Sequence, residues 1–368
     1  MDSDHISLFD LGLTKIIENL SQRFVDAMDP MQPTLYIEPS QKLAQLIFDP
    51  LRPVLKNNSL IVVPNSTVQN ISFEALSNSS GTKISKMDRE RFLIEEFSFV
   101  YTFSGLSFLS SQNSATVKTD RNLLAVAPVF DNQERMSPEV RRFLSRNIGD
   151  EGGGQITIEP LLGSISELEY ISSPSGPKKF RSIQLPKMES LLREKATEFA
   201  IKNGDLRKFN FIHLATHSFS DPNDPLSSGI LLELDGAQGE DGILYASEVW
   251  GLNIDAKLVV LSSCETAKGG NSELTSLSGF ASGFFFAGAQ NLLASIWPSD
   301  DLGNQILMNQ FYSHVWSGES IQTSLRQAKL ELLSDEGPIS HPYYWSGLIH
   351  IGSSIASASG PVAISEGR

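Results

Sequence analysis

The sequence predicts an α/β fold with a mostly parallel sheet covered by helices on both faces. Three observations carry that prediction. Short runs such as "FNFIHLATH", "GILLEL", "AKLVVLSSC" and "NLLASIW" are apolar at successive positions, as strands are when both faces of a sheet are buried. Helical patterns stand between them, including "DLGNQILMNQFYSHVWSG" and "SIQTSLRQAKLELLSD". With 40% hydrophobic residues over 368 positions, the chain can fill one large core or two ordinary ones.

In chain order, "LTKIIENLSQRFVDAM" has the stripe of an amphipathic helix, and a proline-containing linker follows to residue 35. "SQKLAQLIFDPLRPVLKN" reads as a helix whose second half is disturbed by Pro50 and Pro53, which offer no backbone N–H. "SLIVVP", "RFLIEEFSFVYTF" and "RNLLAVAPVF" are strand regions, and the Gly-rich stretch 131–157 reads as a surface loop. "SISELEYI" opens a helix with Ser164 or Ser166 as N-cap, and "SLLREKATEFAIKNG" reads as a helix stopped by Gly204. The last residues, "GSSIASASGPVAISEGR", form a small, polar tail.

A net charge of −14 argues against nucleic acid or an anionic membrane as the main partner, since both require a basic footprint. The single cysteine cannot form an internal disulfide, which fits a reducing compartment. "MDSDHISLFD" lacks the layout of a secretory signal, so a cytoplasmic location is expected and the N-x-[ST] sequons at Asn57, Asn65, Asn70 and Asn78 are read as accidental. The uncharged stretch from Leu274 to Ser299 contains a G-x-x-x-G at Gly279 and Gly283. Its many Ser and Thr residues and its change of pattern favour a helix lying close on a sheet, then a short strand, over a membrane span.

Chemistry in open parallel sheets gathers at the carboxyl ends of strands. "AKLVVLSSC" delivers Cys264 to such an end, and "FNFIHLATH" delivers His217 to another, 47 residues earlier. Adjacent parallel strands would set an imidazole beside a thiol. A free thiol, with a pKa of about 8.5, is only slightly ionised at neutral pH, and a neighbouring imidazole can take its proton and later return it to a leaving amine. On one strand His213 and His217 would share a face about 13 Å apart, too far to hold one metal ion. His213, mid-strand, reads as a hydrogen-bonded core residue, and His341 and His350, around the final strand, as structural. No G-x-S-x-G elbow, phosphate loop or dinucleotide fingerprint is present, which leaves a small-molecule α/β enzyme without a cofactor loop.

"HLATHSFSDPNDPLSSGILLEL", "LVVLSSCETAKGG", "SGFASGFFFAGAQNLLASIWPSDD", "QFYSHVWSGESIQTSLRQAKLELL" and "HPYYWSGLIHIG", in this order, closely resemble the CHAT domain. These are caspase- and separase-like cysteine peptidases of clan CD. "LIVVPNSTVQNISFEAL" and "NLLAVAPVF" upstream extend the similarity to about residues 36 to 352. The resemblance implies a caspase-like three-layer αβα sandwich. It divides the chain into an N-terminal helix and linker (1–35), a non-catalytic lobe (36–190), a catalytic lobe (191–352) and a flexible tail (353–368).

It further implies a His217/Cys264 dyad with an oxyanion hole from the backbone N–H groups of Cys264 and Ser218. Ser218 stands where the family has glycine, so a left-handed backbone there would strain it. Relatives select substrates by the charge of a pocket. Asp300 and Asp301, after "NLLASIW", would favour Arg or Lys before the cut bond, and "PLSSGILLEL" makes Ser228 and Gly229 substrate-binding candidates. The implied reaction is hydrolysis of a protein substrate through a thioester, with no cofactor and no metal. Relatives often carry tetratricopeptide repeats in cis, so a repeat-containing or other regulatory protein is the expected partner, or this chain is one segment of a longer protein. The competing reading, favoured by Ser218, is a catalytically silent module acting as a scaffold or switch.

Overall fold

The computed structural model describes residues 9, 11, 14–65, 67–77, 91–103, 121–130, 158, 160–172, 185–219, 224–234, 239–262, 274–298 and 300–352. The loop expected at 131–157 and the tail at 353–368 lie outside them. The helices are α1 (Thr14–Asp26), α2 (Ile37–Leu43), α3 (Leu162–Ser172), α4 (Glu198–Asn203), α5 (Ala246–Val249), α6 (Leu274–Ala287), α7 (Asp301–Trp316), α8 (Ile321–Leu333) and α9 (Pro342–Ser346). The strands are β1 (Ser59–Val62), β2 (Ser98–Tyr101), β3 (Asn122–Ala127), β4 (Lys187–Leu192), β5 (Phe211–Leu214), β6 (Ser218–Phe219), β7 (Gly229–Leu231), β8 (Ile243–Tyr245), β9 (Leu258–Leu261), β10 (Asn291–Ser295) and β11 (Leu348–Gly352).

Eight strands form one sheet in the order β1-β2-β11-β10-β9-β5-β3-β4. Every neighbouring pair is parallel except β10 and β11. The fold is therefore α/β with a mostly parallel sheet. Strands β5, β9 and β11 are buried along their whole length, as strands covered on both faces must be. The edge strand β4 is largely exposed. Strands from before residue 187 supply β1 and β2 on one flank and β3 on the other, and the 190/191 boundary falls within β4.

Local chemistry explains the elements. In α1 the buried residues Ile17, Leu20, Ser21 and Phe24 follow helical spacing. After α2 the chain winds through a π turn (Ala44–Phe48) and a 3-10 turn (Asp49–Val54), where Pro50 and Pro53 interrupt the regular ladder as expected. The G-x-x-x-G belongs to α6, where it lets the helix approach its neighbours. A Cβ at Gly279 would lie 2.2 Å from the Pro225 carbonyl oxygen, and one at Gly283 would lie 3.2 Å from the Ala246 oxygen. Among the described residues no helix is long and apolar enough to cross a membrane.

Three expectations are corrected. "SLLREKATEFAIKNG" is not one helix. Its first three residues complete β4, Arg193–Lys195 make a 3-10 turn, and only Glu198–Asn203 is α-helical, capped by Thr197 Oγ1 accepting from the Ala200 N–H at 3.2 Å. Register pairing of β4 with β3 over six residues overrides the helix propensity of Leu, Arg, Glu and Lys. The helix containing "SISELEYI" starts at Leu162, so neither serine is its N-cap, and the Asp301 carboxylate accepts the Gly163 N–H instead. Finally, "GILLEL" does not join the parallel sheet. Its first residues form β7, the centre of a separate antiparallel sheet β6-β7-β8.

Candidate active site

β5 and β9 are adjacent and parallel, with His213 opposite Val260 and Leu214 opposite Leu261. The pairing runs on for one residue more, because the Ser262 N–H donates to the Leu214 oxygen at 3.0 Å. His217 and Cys264 each lie three residues beyond the registered pair Leu214 and Leu261 in sequence. Cys264 itself lies outside the described residues.

His217 does not share an uninterrupted strand with His213. The chain leaves the sheet after Leu214, and a new strand, β6, starts at Ser218. The turn between them is held from β7: the His217 oxygen accepts the Leu231 N–H at 2.8 Å, and the Thr216 hydroxyl donates to the Leu231 oxygen at 2.5 Å. His217 is 2% exposed, and its ring centroid lies 5.5 Å from that of Phe130. Phe130 and Val129, just past β3, have left-handed φ values of 56° and 71°. Such angles cost roughly 1–3 kcal/mol in non-glycine residues and persist only where surroundings enforce them. Here burial does so. Val129 is fully buried, and Phe130 joins Ile158, Phe219, Leu231 and Ile243 in an apolar cluster behind the histidine.

Ser218 opens β6, and the described non-glycine residues with positive φ are Val129, Phe130 and Arg193. The serine is thus accommodated without left-handed strain. Because His217 and Leu231 form a bonded pair, Ser218 and Ile230 are the next, non-bonded pair, and the Ser218 N–H faces away from β7.

The remaining candidates lie in β7, just before it, and at the start of α7. Ser228 is buried, and its oxygen accepts the Ala246 N–H at 2.8 Å. Gly229 lies in β7 so tightly that a Cβ would sit 2.3 Å from the Phe219 ring. Asp300 caps α7, its Oδ1 accepting the Gly303 N–H at 2.9 Å. Asp301 begins α7 and bonds to Gly163 at the start of α3. Burial raises its carboxyl above the usual range, as does the charge of Glu167, against that bond. Both acids therefore serve helix N-termini, where negative charge is stabilised.

A polar network that sequence reasoning missed lies under the rim. The Ser262 hydroxyl donates to Glu167 Oε1 at 2.6 Å and accepts from Asn304 Nδ2 at 2.7 Å. The same Glu167 oxygen lies 3.0 Å from His213 Nε2, at ion-pair distance though out of line for a hydrogen bond. His213 Nδ1 meets the Tyr312 hydroxyl at 3.0 Å, which makes it the hydrogen-bonded core histidine expected. Burial, then the charge of Glu167, pushes the Tyr312 hydroxyl well above its usual pKa, so it stays protonated. A signal for Glu167 was present. It is an acid on the buried stripe Ser164, Glu167, Leu168 and Ile171 of α3.

Among the described residues, Glu198, Glu240 and Glu248 are grouped closely enough to hold a metal ion. Lys202 Nζ already lies 2.5, 2.9 and 2.6 Å from them, so the chain supplies its own cation. Burial raises Glu198 to about 7, the Lys202 bond opposing and the Glu248 charge assisting.

The family model of the CHAT domain matches residues 38–353. Tetratricopeptide repeat protein 28 of Mus musculus is 32% identical over 113 residues, and that of Homo sapiens 31% over 115. Each match covers 31% of this chain and 4% of the relative, so the chain spans only a small part of these proteins. Among solved structures, gingipain R, an Arg-specific cysteine proteinase, aligns with a TM-score of 0.48 and 8% identity over 92% of this chain and 73% of its own. The separase–securin complex of Saccharomyces cerevisiae aligns with a TM-score of 0.44 and 12% identity over 79% of this chain and 15% of its own.

Proposed function

The chain belongs to the CHAT domain family, and from that premise we propose that it is a cysteine endopeptidase using a His217/Cys264 dyad. The observation that carries the reading is the register of β5 and β9, with the histidine and the cysteine equally far past the pair Leu214 and Leu261. In this reading His217 takes the thiol proton and the Cys264 sulfur attacks a peptide carbonyl. The amine leaves with the proton from His217. Water, activated by the same ring, then hydrolyses the thioester. The Ser218 and Cys264 N–H groups hold the oxyanion, and the turn between β5 and β6, held from β7, supports the first of them.

Ser228 and Gly229 would border the bound peptide. Asp300 and Asp301, exposed at the same edge as the β10 exit, would favour a basic residue before the cut bond. A repeat-containing regulatory partner fits the similarity to proteins named for tetratricopeptide repeats. The silent-module alternative drew on Ser218, and an unstrained serine offers the same backbone donor as glycine, so that feature no longer favours it.

The test is covalent labelling with peptidyl acyloxymethyl ketones, a candidate repeat partner present, followed by proteome-wide cleavage mapping against Cys264→Ala. Labelling and cleavage that vanish in Cys264→Ala, with Arg or Lys probes preferred, are expected. Absence of both across a diverse panel would leave the scaffold reading standing.

A further inference from the structure

The buried network behind the rim joins β5 to the exit of β9, the two strands that lead toward His217 and Cys264. One carboxylate oxygen, Glu167 Oε1, lies 3.0 Å from His213 on β5 and 2.6 Å from the Ser262 hydroxyl just past β9. Ser262 is held from three directions: its N–H by Leu214, its hydroxyl proton by Glu167, and its lone pair by Asn304. A hydroxyl that both donates and accepts is confined to one rotamer, and buried networks satisfied in this way favour a single geometry. Glu167 comes from α3, which follows β3, and Asn304 from the first turn of α7, which follows β10. The clamp therefore ties the exit of β9 to helices that follow strands on either side of the β5-β9 pair.

We infer that Glu167, Ser262 and Asn304 are positioning residues that set the Cys264 thiol against His217. Ser262 precedes the thiol by two residues, a span of at most about 7 Å. The clamp thus fixes the point from which the chain runs on to the cysteine, and loss of reach of about 1 Å is enough to weaken a catalytic pair severely. Stability alone does not call for this arrangement. Buried charged groups can often be replaced by apolar ones without loss of stability, whereas a polar network specifies where its members sit. The inference rests on the dyad reading above.

The single cysteine makes the test direct. Iodoacetamide alkylation of the full chain is followed against pH, with melting temperature recorded for each variant. The thiolate sulfur displaces iodide, so the rate reports the thiolate fraction. The wild type should show a midpoint below the usual thiol value of about 8.5, and His217→Ala should restore that value. Ser262→Ala and Glu167→Gln should raise the midpoint by about one unit, slowing alkylation near neutrality by about tenfold. Ser262→Thr, which keeps the hydroxyl, should restore most of the rate. Glu167→Gln keeps the side-chain shape and decides the matter if Ser262→Ala does not fold.

Melting temperatures that fall while the wild-type midpoint persists would overturn the positioning role and leave the dyad intact. A midpoint indifferent to His217→Ala would remove the dyad reading, and this inference with it.

Discussion

Acidification should weaken the fold through His350. This residue lies in β11 and is fully buried, with Nε2 donating to Asn291 Oδ1 at 2.8 Å. Burial, then the nearby Lys329 ammonium, lowers its pKa from 6.5 to about 3. The native ring stays neutral between these values while the unfolded chain takes up a proton. The stabilisation is therefore whole above pH 6.5 and is lost as pH falls toward 3. At pH 5, about 1.5 units below the unfolded value, the loss is about 2 kcal/mol at roughly 1.4 kcal/mol per unit. That is a substantial part of a total stability of about 5–15 kcal/mol. His350→Gln removes the titration and keeps an amide donor for Asn291. Urea unfolding of both proteins at pH 7.5 and pH 5 should show the wild type losing about 2 kcal/mol more than the variant. Equal losses would refute the reasoning.

Three further outcomes follow from contacts already described or close to them. Lys329→Met strands the Glu74 carboxylate, which is ion-paired to Lys329 in a site where both are buried, and should cost about 3–5 kcal/mol; a loss under about 1 kcal/mol would mean the pair is not buried as described. Gly229→Ala forces a Cβ against the Phe219 ring and should cost about 1–3 kcal/mol in thermal unfolding; an unchanged melting temperature would sink that account. Ser218→Gly should lower stability by about 0.5–1 kcal/mol, because the serine is unstrained and glycine has more freedom to lose; a stabilised variant would show that Ser218 carries strain after all.

The parallel core was legible because β5, β9 and β10 are nearly pure apolar runs, and the residues past two of them include the chain's cysteine and a histidine. The separation of 47 residues left room for one strand and a crossover between β5 and β9, whereas the chain places β6, β7, β8 and α5 there and still sets the two strands side by side. β4 was illegible for the opposite reason. It is an exposed edge strand made of Lys, Met, Glu, Ser and Leu, and only its pairing with β3 makes it a strand. The β6-β7-β8 sheet was hidden because an apolar run does not say which partner it will choose. The clamp at Ser262 joins residues 95 and 42 positions apart, and no local pattern encodes such contacts.

The antiparallel seam between β10 and β11 turns the large sheet into two blocks that point opposite ways. The carboxyl ends of β1 and β2 open on the edge away from His217. The residues that leave β1 and β2 therefore stand at the opposite edge of the sheet from His217 and its neighbours. One block holds three strands, β1, β2 and β11, and the other holds five, so a segment leaving the smaller block and one leaving β5 or β9 emerge on opposite sides of the molecule's main sheet.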